Sequence, residues 1–338
     1  MRNGISLGEG VMSFDCCEQQ NLFWDPFEEV VGDLAEFEKV MKCIFDKRPK
    51  GKFAWRGQGN ASWSLHSSLY RVLIKQQKCH SKFPRESDLR EAETRVLKEF
   101  HQWGLHMGDY GRLSVMNQLA VLQHYGCPTR FIDVTFNPWI AAWFAVKRDS
   151  LCGKERPCYK QCKQDRLHDA RVFAFDVKNV LISEIDENRR FWEDNNQFPW
   201  PKASATTEEE KEKFIDWTTG EYFVWKPPHF HKRLAAQNGA FLFSGVPTTK
   251  DGRKAWPKSP SGKGDNWLVD DVRKGTSIAL RPHSLISRRP PNDATYSIRI
   301  LHKAKGEIRE YIEKRLGFTE ATLFPDYMGF SDFSKTIM

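Results

Sequence analysis

The sequence predicts an α+β fold, a mixed sheet flanked by helices in one principal domain with loop insertions. Three observations carry that expectation. Amphipathic helical stretches and short strands follow one another without the steady strand–helix alternation of a doubly wound fold. No phosphate loop or Gly-x-Gly-x-x-Gly follows a predicted strand. Two polar stretches, at about 148–170 and 246–268, read as insertions between regular elements.

Val30, Val31, Leu34, Phe37, Val40, Met41, Ile44 and Phe45 recur at three- and four-residue steps, so residues 27–47 are expected to form an amphipathic helix. With the residues before it, this helix is read as an N-terminal helical extension, residues 1–49, ahead of the main domain at 50–338. Lys52-Phe53-Ala54-Trp55-Arg56-Gly57 reads as a strand ending at a glycine, followed by turn chemistry in Gln58-Gly59-Asn60. Helices are expected from Glu86 to about Gly104 and from Leu113 to Tyr125, the second ended by Gly126 and blocked by Pro128. Phe131 to Thr135 follows as a strand, and Asn137 with Pro138 opens a helix through Val146, the asparagine as N-cap and the proline at the first helical position.

Further along, Arg171 to Val177 returns as a strand, 206–214 as a charged surface helix, and Glu221 to Trp225 and Ala240 to Phe243 as strands. A strand at 296–301 and a helix at 304–316, ended by Gly317, complete the series.

The 338 residues carry 52 Lys and Arg against 44 Asp and Glu, a formal charge of +8 that favours an acidic partner such as nucleic acid over a cationic one. Aromatic residues interleaved with basic ones, as in Phe191-Trp192 and Phe230-His231-Lys232-Arg233, have the chemistry to stack on bases, although most rings belong to the core. Residues 1–25 carry Glu9, Asp15 and Glu18 without an apolar signal-like run, and the apolar run Val134 to Val146 is too short to span a bilayer. Eight cysteines without paired spacing fit reduced thiols in a cytoplasmic protein. Cys152, Cys158 and Cys162, followed by His168, match no common zinc spacing and are read as free thiols with no metal.

Function is sought first in the run from Gln123 to Val146, which sets His124, Thr129, Arg130, Asp133 and Thr135 around one apolar-flanked turn. Buried polar groups cost a few kcal/mol each unless hydrogen-bonded, so such crowding implies a network or a ligand. The non-functional reading makes Arg56 and Asp133 a structural ion pair, His124 a helix cap or core histidine, Gln237-Asn238-Gly239 a turn, and Trp139, Ile140, Trp143 and Phe144 core.

The ordered motifs Trp55-Arg56-Gly57-Gln58, Gln123 to Asp133, Asn137-Pro138 with Ala142-Trp143-Phe144-Ala145, Arg233 to Phe241 and Leu323-Phe324-Pro325-Asp326 resemble those of the FRG domain, named for a Phe-Arg-Gly motif. Trp55 stands where that name expects Phe. The layout is also similar to ADP-ribosyltransferases, which implies a split β-sheet core flanked by helices. That likeness implies NAD as substrate, bound by Arg56, Gly57, Gln58, Tyr125, Thr129, Arg130 and Thr135, with Arg56 on a phosphate or ribose and the threonines on the nicotinamide ribose. It wants a carboxylate near the developing oxocarbenium charge. Glu221 is the first choice and Asp133 the second, with Gln237 positioning acceptor or ribose and His124 available as a base. The implied activity is that of an NAD-dependent ADP-ribosyltransferase, a bacterial toxin or antiviral effector acting on nucleic acid, RNA included, and held by a neutralising antitoxin protein. Two other readings are a non-catalytic nucleotide or nucleic-acid binding module, and a hydrolase or nuclease using His124, Asp133 and a metal.

Overall fold

A computed structural model describes residues 23–76, 83–108, 111–147, 168–182, 197–202, 206–227, 232–248, 267–286, 292–327, 329–331 and 334. The expected α+β class holds: helices flank a mostly antiparallel sheet of eight strands that does not close into a barrel. Along the chain come β1 (Glu28–Val31), α1 (Leu34–Lys47), β2 (Phe53–Gln58), α2 (Ser68–Gln76), α3 (Glu86–Gln102), the small hairpin β3 (Met107–Gly108) and β4 (Gly111–Arg112), then α4 (Val115–His124), β5 (Ile132–Thr135), α5 (Pro138–Val146) and β6 (Ala170–Asp176). There follow α6 (Glu208–Thr219), β7 (Tyr222–Trp225), α7 (Lys232–Ala236), β8 (Gly239–Ser244), α8 (Val269–Gly275), β9 (Arg281–Pro282), β10 (Ala294–Ile300), α9 (Lys305–Arg315) and α10 (Glu320–Leu323). The main sheet runs β1-β10-β6-β2-β5-β8-β7, with β9 beside β10.

The helix expected at 27–47 is instead a strand and a shorter helix. Glu28 to Val31 pairs in parallel with Ser297 to Ile300 at the sheet edge, a remote partner that local periodicity cannot reveal. Gly32-Asp33 then resets the chain, and the Asp33 side chain accepts from Glu36 N at 2.8 Å to cap α1. Phe37, Met41 and Ile44 bury in the same core as Phe53, Trp55 and Tyr296. Residues 28–47 are therefore part of the sheet and its core and not an appended helix.

Side-chain alternation along β2 and β6 divides the interior. Phe53 and Trp55 join Ala170, Val172 and Ala174 against α1, α5 and α9, whereas Ala54, Phe173 and Phe175 face Trp24, Leu65 and Leu280. The far half of the sheet is covered by α3 and α4, with Trp200 and Trp217 among the filling rings and Phe131 stacked on Phe241 at 5.1 Å.

The expected terminators act as written. Asn137 Oδ1 accepts from Trp139 N and Ile140 N at the start of α5. Gly126 adopts φ 86° after α4, with Gly126 N bonded to Gln123 O and Cys127 N to Leu122 O, a pattern that needs a left-handed residue. α2, α7, α8, α10 and the β3–β4 hairpin were not expected from the sequence. The cysteine cluster, Phe191-Trp192, Phe230-His231 and nearly all of the two insertions lie outside the described residues.

One close approach positions the site. A Cβ on Gly57 would lie 1.9 Å from Ala141 O and 2.7 Å from Ala145 N, so α5 rests directly on the β2 backbone. Gly57→Ala is expected to cost about 3 kcal/mol through overpacking, and Asn137→Ala about 1 kcal/mol through loss of a cap. Urea unfolding of the two variants checks the order, and equal losses would refute the contact argument at Gly57.

Candidate functional site

The main sheet is nearly severed at one seam. β2 pairs with β6 along its whole length and β5 does the same with β8, yet β2 and β5 share the single register pair Trp55↔Thr135. Past that pair the Arg56 side chain bridges the gap, its Nη1 donating to Asp133 O at 2.6 Å. The contact is to the main-chain oxygen, so the expected Arg56–Asp133 ion pair takes the form of a strand-to-strand tie and leaves the Asp133 carboxylate for the cleft.

That cleft, of about 290 Å³, opens at the seam. β2 supplies Trp55, Arg56 and Gly57, β5 supplies Asp133 and Thr135, and the end of α4 supplies Gln123 and His124. Phe144 of α5 and Phe324 beyond α10 form apolar walls, and Arg233 and Gln237 close the remaining side. Among the predicted residues Arg56, Gly57, His124, Asp133, Thr135 and Gln237 are thus brought together.

The remaining predicted residues are not. Arg130 is 2% exposed and turned away into a buried cluster: its Nε and Nη2 each meet Glu93 at 2.6 Å, its Nη1 meets Glu86 at 2.9 Å, and its guanidinium lies 4.4 Å from the Trp200 ring centre. Burial works against that charge, but the two glutamates hold the Arg130 pKa above its ordinary value. Thr129 is buried and does not line the cleft: it exchanges hydrogen bonds with Ser68 and donates its hydroxyl to Gln123, which does. Gln58 is buried behind the cleft, donating to Ser64 O. Tyr125 is exposed on the rim, its ring 5.1 Å from that of His124.

Glu221 does not reach the cleft either. Tyr222 pairs with Ser244, whereas the cleft residue Phe241 pairs with Trp225, three residues away and so about 10 Å along the strand. Glu221 lies beyond even Tyr222, beside Gly220, which packs against Arg281.

The cleft residues Gln123, Arg233 and Phe324 stand in the motifs without a role implied by the resemblance. Arg233 makes a bidentate pair with Asp326, both bonds 3.0 Å, and lies over the Phe324 ring at 4.9 Å. Gln237 Nε2 donates to Leu323 O at 3.0 Å, so the motifs at 233–241 and 323–326 clasp one another to make one wall. Their joint place in the motif order was the available signal.

Electrostatics mark the seam. Burial draws the Arg56 pKa down, the Asp133 charge opposes the shift, and Arg71 of α2 adds to it. Arg56 Nε is buried and has no hydrogen-bond partner, an arrangement that costs about 1–3 kcal/mol unless a ligand supplies an acceptor. Burial and Arg233 depress the His124 pKa against the pull of Asp326, which keeps the imidazole neutral near pH 7. No group of three or more His, Cys, Asp or Glu positioned to hold a metal occurs among the described residues.

The FRG domain family model matches residues 51–152, which bears out the FRG resemblance of the motifs over that stretch. Arg56, Gln123, His124, Asp133, Thr135 and Phe144 fall inside the matched stretch, and Arg233, Gln237 and Phe324 beyond it. No curated protein and no solved structure gives a significant match to the chain.

Two tests separate scaffold from site. Arg130→Met leaves Glu86 and Glu93 buried without their cation, with an expected loss of about 3–5 kcal/mol in urea unfolding. A loss below about 1 kcal/mol would contradict a structural role for Arg130. His66, which precedes α2 and contacts Arg273 O at 2.8 Å, has its pKa lowered to about 4 by burial, with Arg71 adding to the shift against that hydrogen bond. Its contribution is full above pH 6.5, the ordinary value, and is lost as the pH falls towards 4, by about 3 kcal/mol in all. Compared between pH 7 and 4.5, the unfolding free energy of the native chain should fall further than that of His66→Gln, and parallel profiles would refute the assignment.

Proposed function

We propose that the cleft at the β2–β5 seam binds NAD and transfers its ADP-ribose. The observation that carries the reading is the buried, unpartnered Nε of Arg56, a residue that lines the cleft at that seam and whose guanidinium chemistry suits a phosphate oxygen. The chemistry breaks the bond from ribose C1′ to the nicotinamide nitrogen, and the electron pair leaves with neutral nicotinamide. Asp133, exposed in the cleft, takes the position of the carboxylate facing the cationic C1′. An acceptor hydroxyl or amine forms the new bond to C1′ and gives its proton to neutral His124. Phe144 and Phe324 supply apolar faces, and Gln237 lies within the wall that an acceptor or ribose would touch.

Nucleic acid, RNA included, is the acceptor in this reading. It is supported by the +8 charge and by Tyr125 and Tyr327, 67% and 95% exposed, which flank His124 and Asp326 at the rim and offer faces for stacking. Such an activity fits a toxin or antiviral effector restrained by a neutralising protein. A second reading, a nucleotide-binding module without transfer, is favoured by one observation, the distance of Glu221 from the cleft.

Incubation with labelled NAD and separate RNA, DNA and protein pools tests the proposal. Label is expected on nucleic acid. Arg56→Ala should weaken NAD binding about ten- to a hundred-fold. Asp133→Asn should lower kcat and, with the cleft charge gone, weaken NAD binding about ten-fold, and Glu221→Gln, outside the cleft, should leave both within about two-fold. NAD binding without turnover would establish the module instead, and a folded protein that neither binds nor consumes NAD would sink both readings.

A further inference from the structure

Gln123 stands next to last in α4, and the left-handed Gly126 turns the chain so that Thr129 returns beneath it. Three hydrogen bonds then run in one direction. Phe131 N donates to Thr129 Oγ1 at 3.2 Å, the Thr129 hydroxyl donates to Gln123 Oε1, and Gln123 Nε2 donates to Asp133 Oδ1 at 2.7 Å. An ionised carboxylate can only accept, so the amide must turn its nitrogen to Asp133 and its oxygen to Thr129. With one side of its hydroxyl occupied by Phe131 N, buried Thr129 has its proton directed at that oxygen. Reversal of the amide would set Oε1 against the Asp133 carboxylate, two acceptors together, and would take from the Thr129 hydroxyl proton the acceptor it has.

We propose that Gln123, backed by Thr129, is a positioning residue for the cleft carboxylate: it occupies Oδ1 of Asp133 and leaves Oδ2 to meet positive charge on a bound ligand. The inference rests on the nucleotide reading of the cleft only for the identity of that ligand. Arg56 completes the arrangement from the other strand by holding the Asp133 main-chain oxygen, so backbone and side chain of one residue are each fixed by a separate donor. The network also gives Thr129 a part in the site without contact to ligand. Thr129 acts through Gln123, and Gln123 through Asp133.

The probes are oxidised NAD, whose nicotinamide ring is cationic, NADH, whose ring is neutral, and ADP-ribose, which lacks the ring. Calorimetry on the native chain should show a preference for NAD over NADH of about ten-fold, the worth of one well-placed charge contact. Gln123→Leu and Thr129→Val should each abolish that preference and leave ADP-ribose affinity within about two-fold, the double variant should lose no more than either single one, and Thr129→Ser should retain it. A preference that survives Gln123→Leu, or a Thr129→Ser variant that behaves like Thr129→Val, would overturn the proposal. A ligand-free measurement keeps the two claims apart. The carbon-13 carboxyl resonance of Asp133 should move in Gln123→Leu and in Thr129→Val and return in Thr129→Ser. If the native chain binds none of the three ligands, the nucleotide reading falls while this resonance still decides the network, and a resonance unmoved by either substitution refutes it.

Discussion

The single pairing between β2 and β5 is the constraint on which the site depends. A continuous ladder at that position would satisfy the backbone of both strands and leave no concavity. The opening is held by contacts on two sides. α5 lies so close to Gly57 that no side chain fits there, and the Arg56 guanidinium spans the gap to Asp133 O where ladder bonds would otherwise run. Bridging with a side chain in place of the ladder leaves Arg56 Nε buried and unsatisfied, a cost that a folded scaffold tolerates most readily where a ligand returns it.

The wall opposite the seam is built from segments nearly ninety residues apart in sequence. Arg233–Asp326 is partly exposed, and an isolated pair of that kind contributes little to stability. Its bidentate geometry, the Gln237 bond to Leu323 O and the Phe324 ring under Arg233 act together, which fixes direction more than it adds energy. The effect is to hold a cationic group and an aromatic face in fixed relation to Arg56 and Asp133 across the cleft.

Much of this was legible in the sequence wherever the cause is local. Asn137 and Pro138 start α5, Gly126 ends α4 and Gly317, at φ 73°, ends α9, because capping and left-handed turns depend on residue type and near neighbours alone. What depends on remote partners was not legible. Val30 and Val31 fit a helical stripe as well as a strand until Ile298 to Ile300 are seen beside them. Arg56 and Arg130 look equivalent in sequence, each an arginine next to strand residues, and only the fold shows one facing the cleft and the other facing Glu86 and Glu93. Glu221 has the right residue type on the right strand, but register sets it past the far end of β8.

The threonines ahead of β5 and at its end, Thr129 and Thr135, show how one short segment serves scaffold and site together. Each hydroxyl accepts from the backbone N–H two residues on, Phe131 N for Thr129 and Asn137 N for Thr135, which shapes the turns into and out of the strand. Each then donates to a glutamine, Thr129 to the side chain of Gln123 and Thr135 to the main-chain oxygen of Gln237 at 2.6 Å. Both glutamines line the cleft, on either side of Asp133. The sequence likeness assigned these hydroxyls to a ribose. In the fold their protons are already committed, so their contribution to binding is the fixed placement of the groups between them, and a carboxylate so framed needs no further rearrangement to meet a charge that develops in front of it.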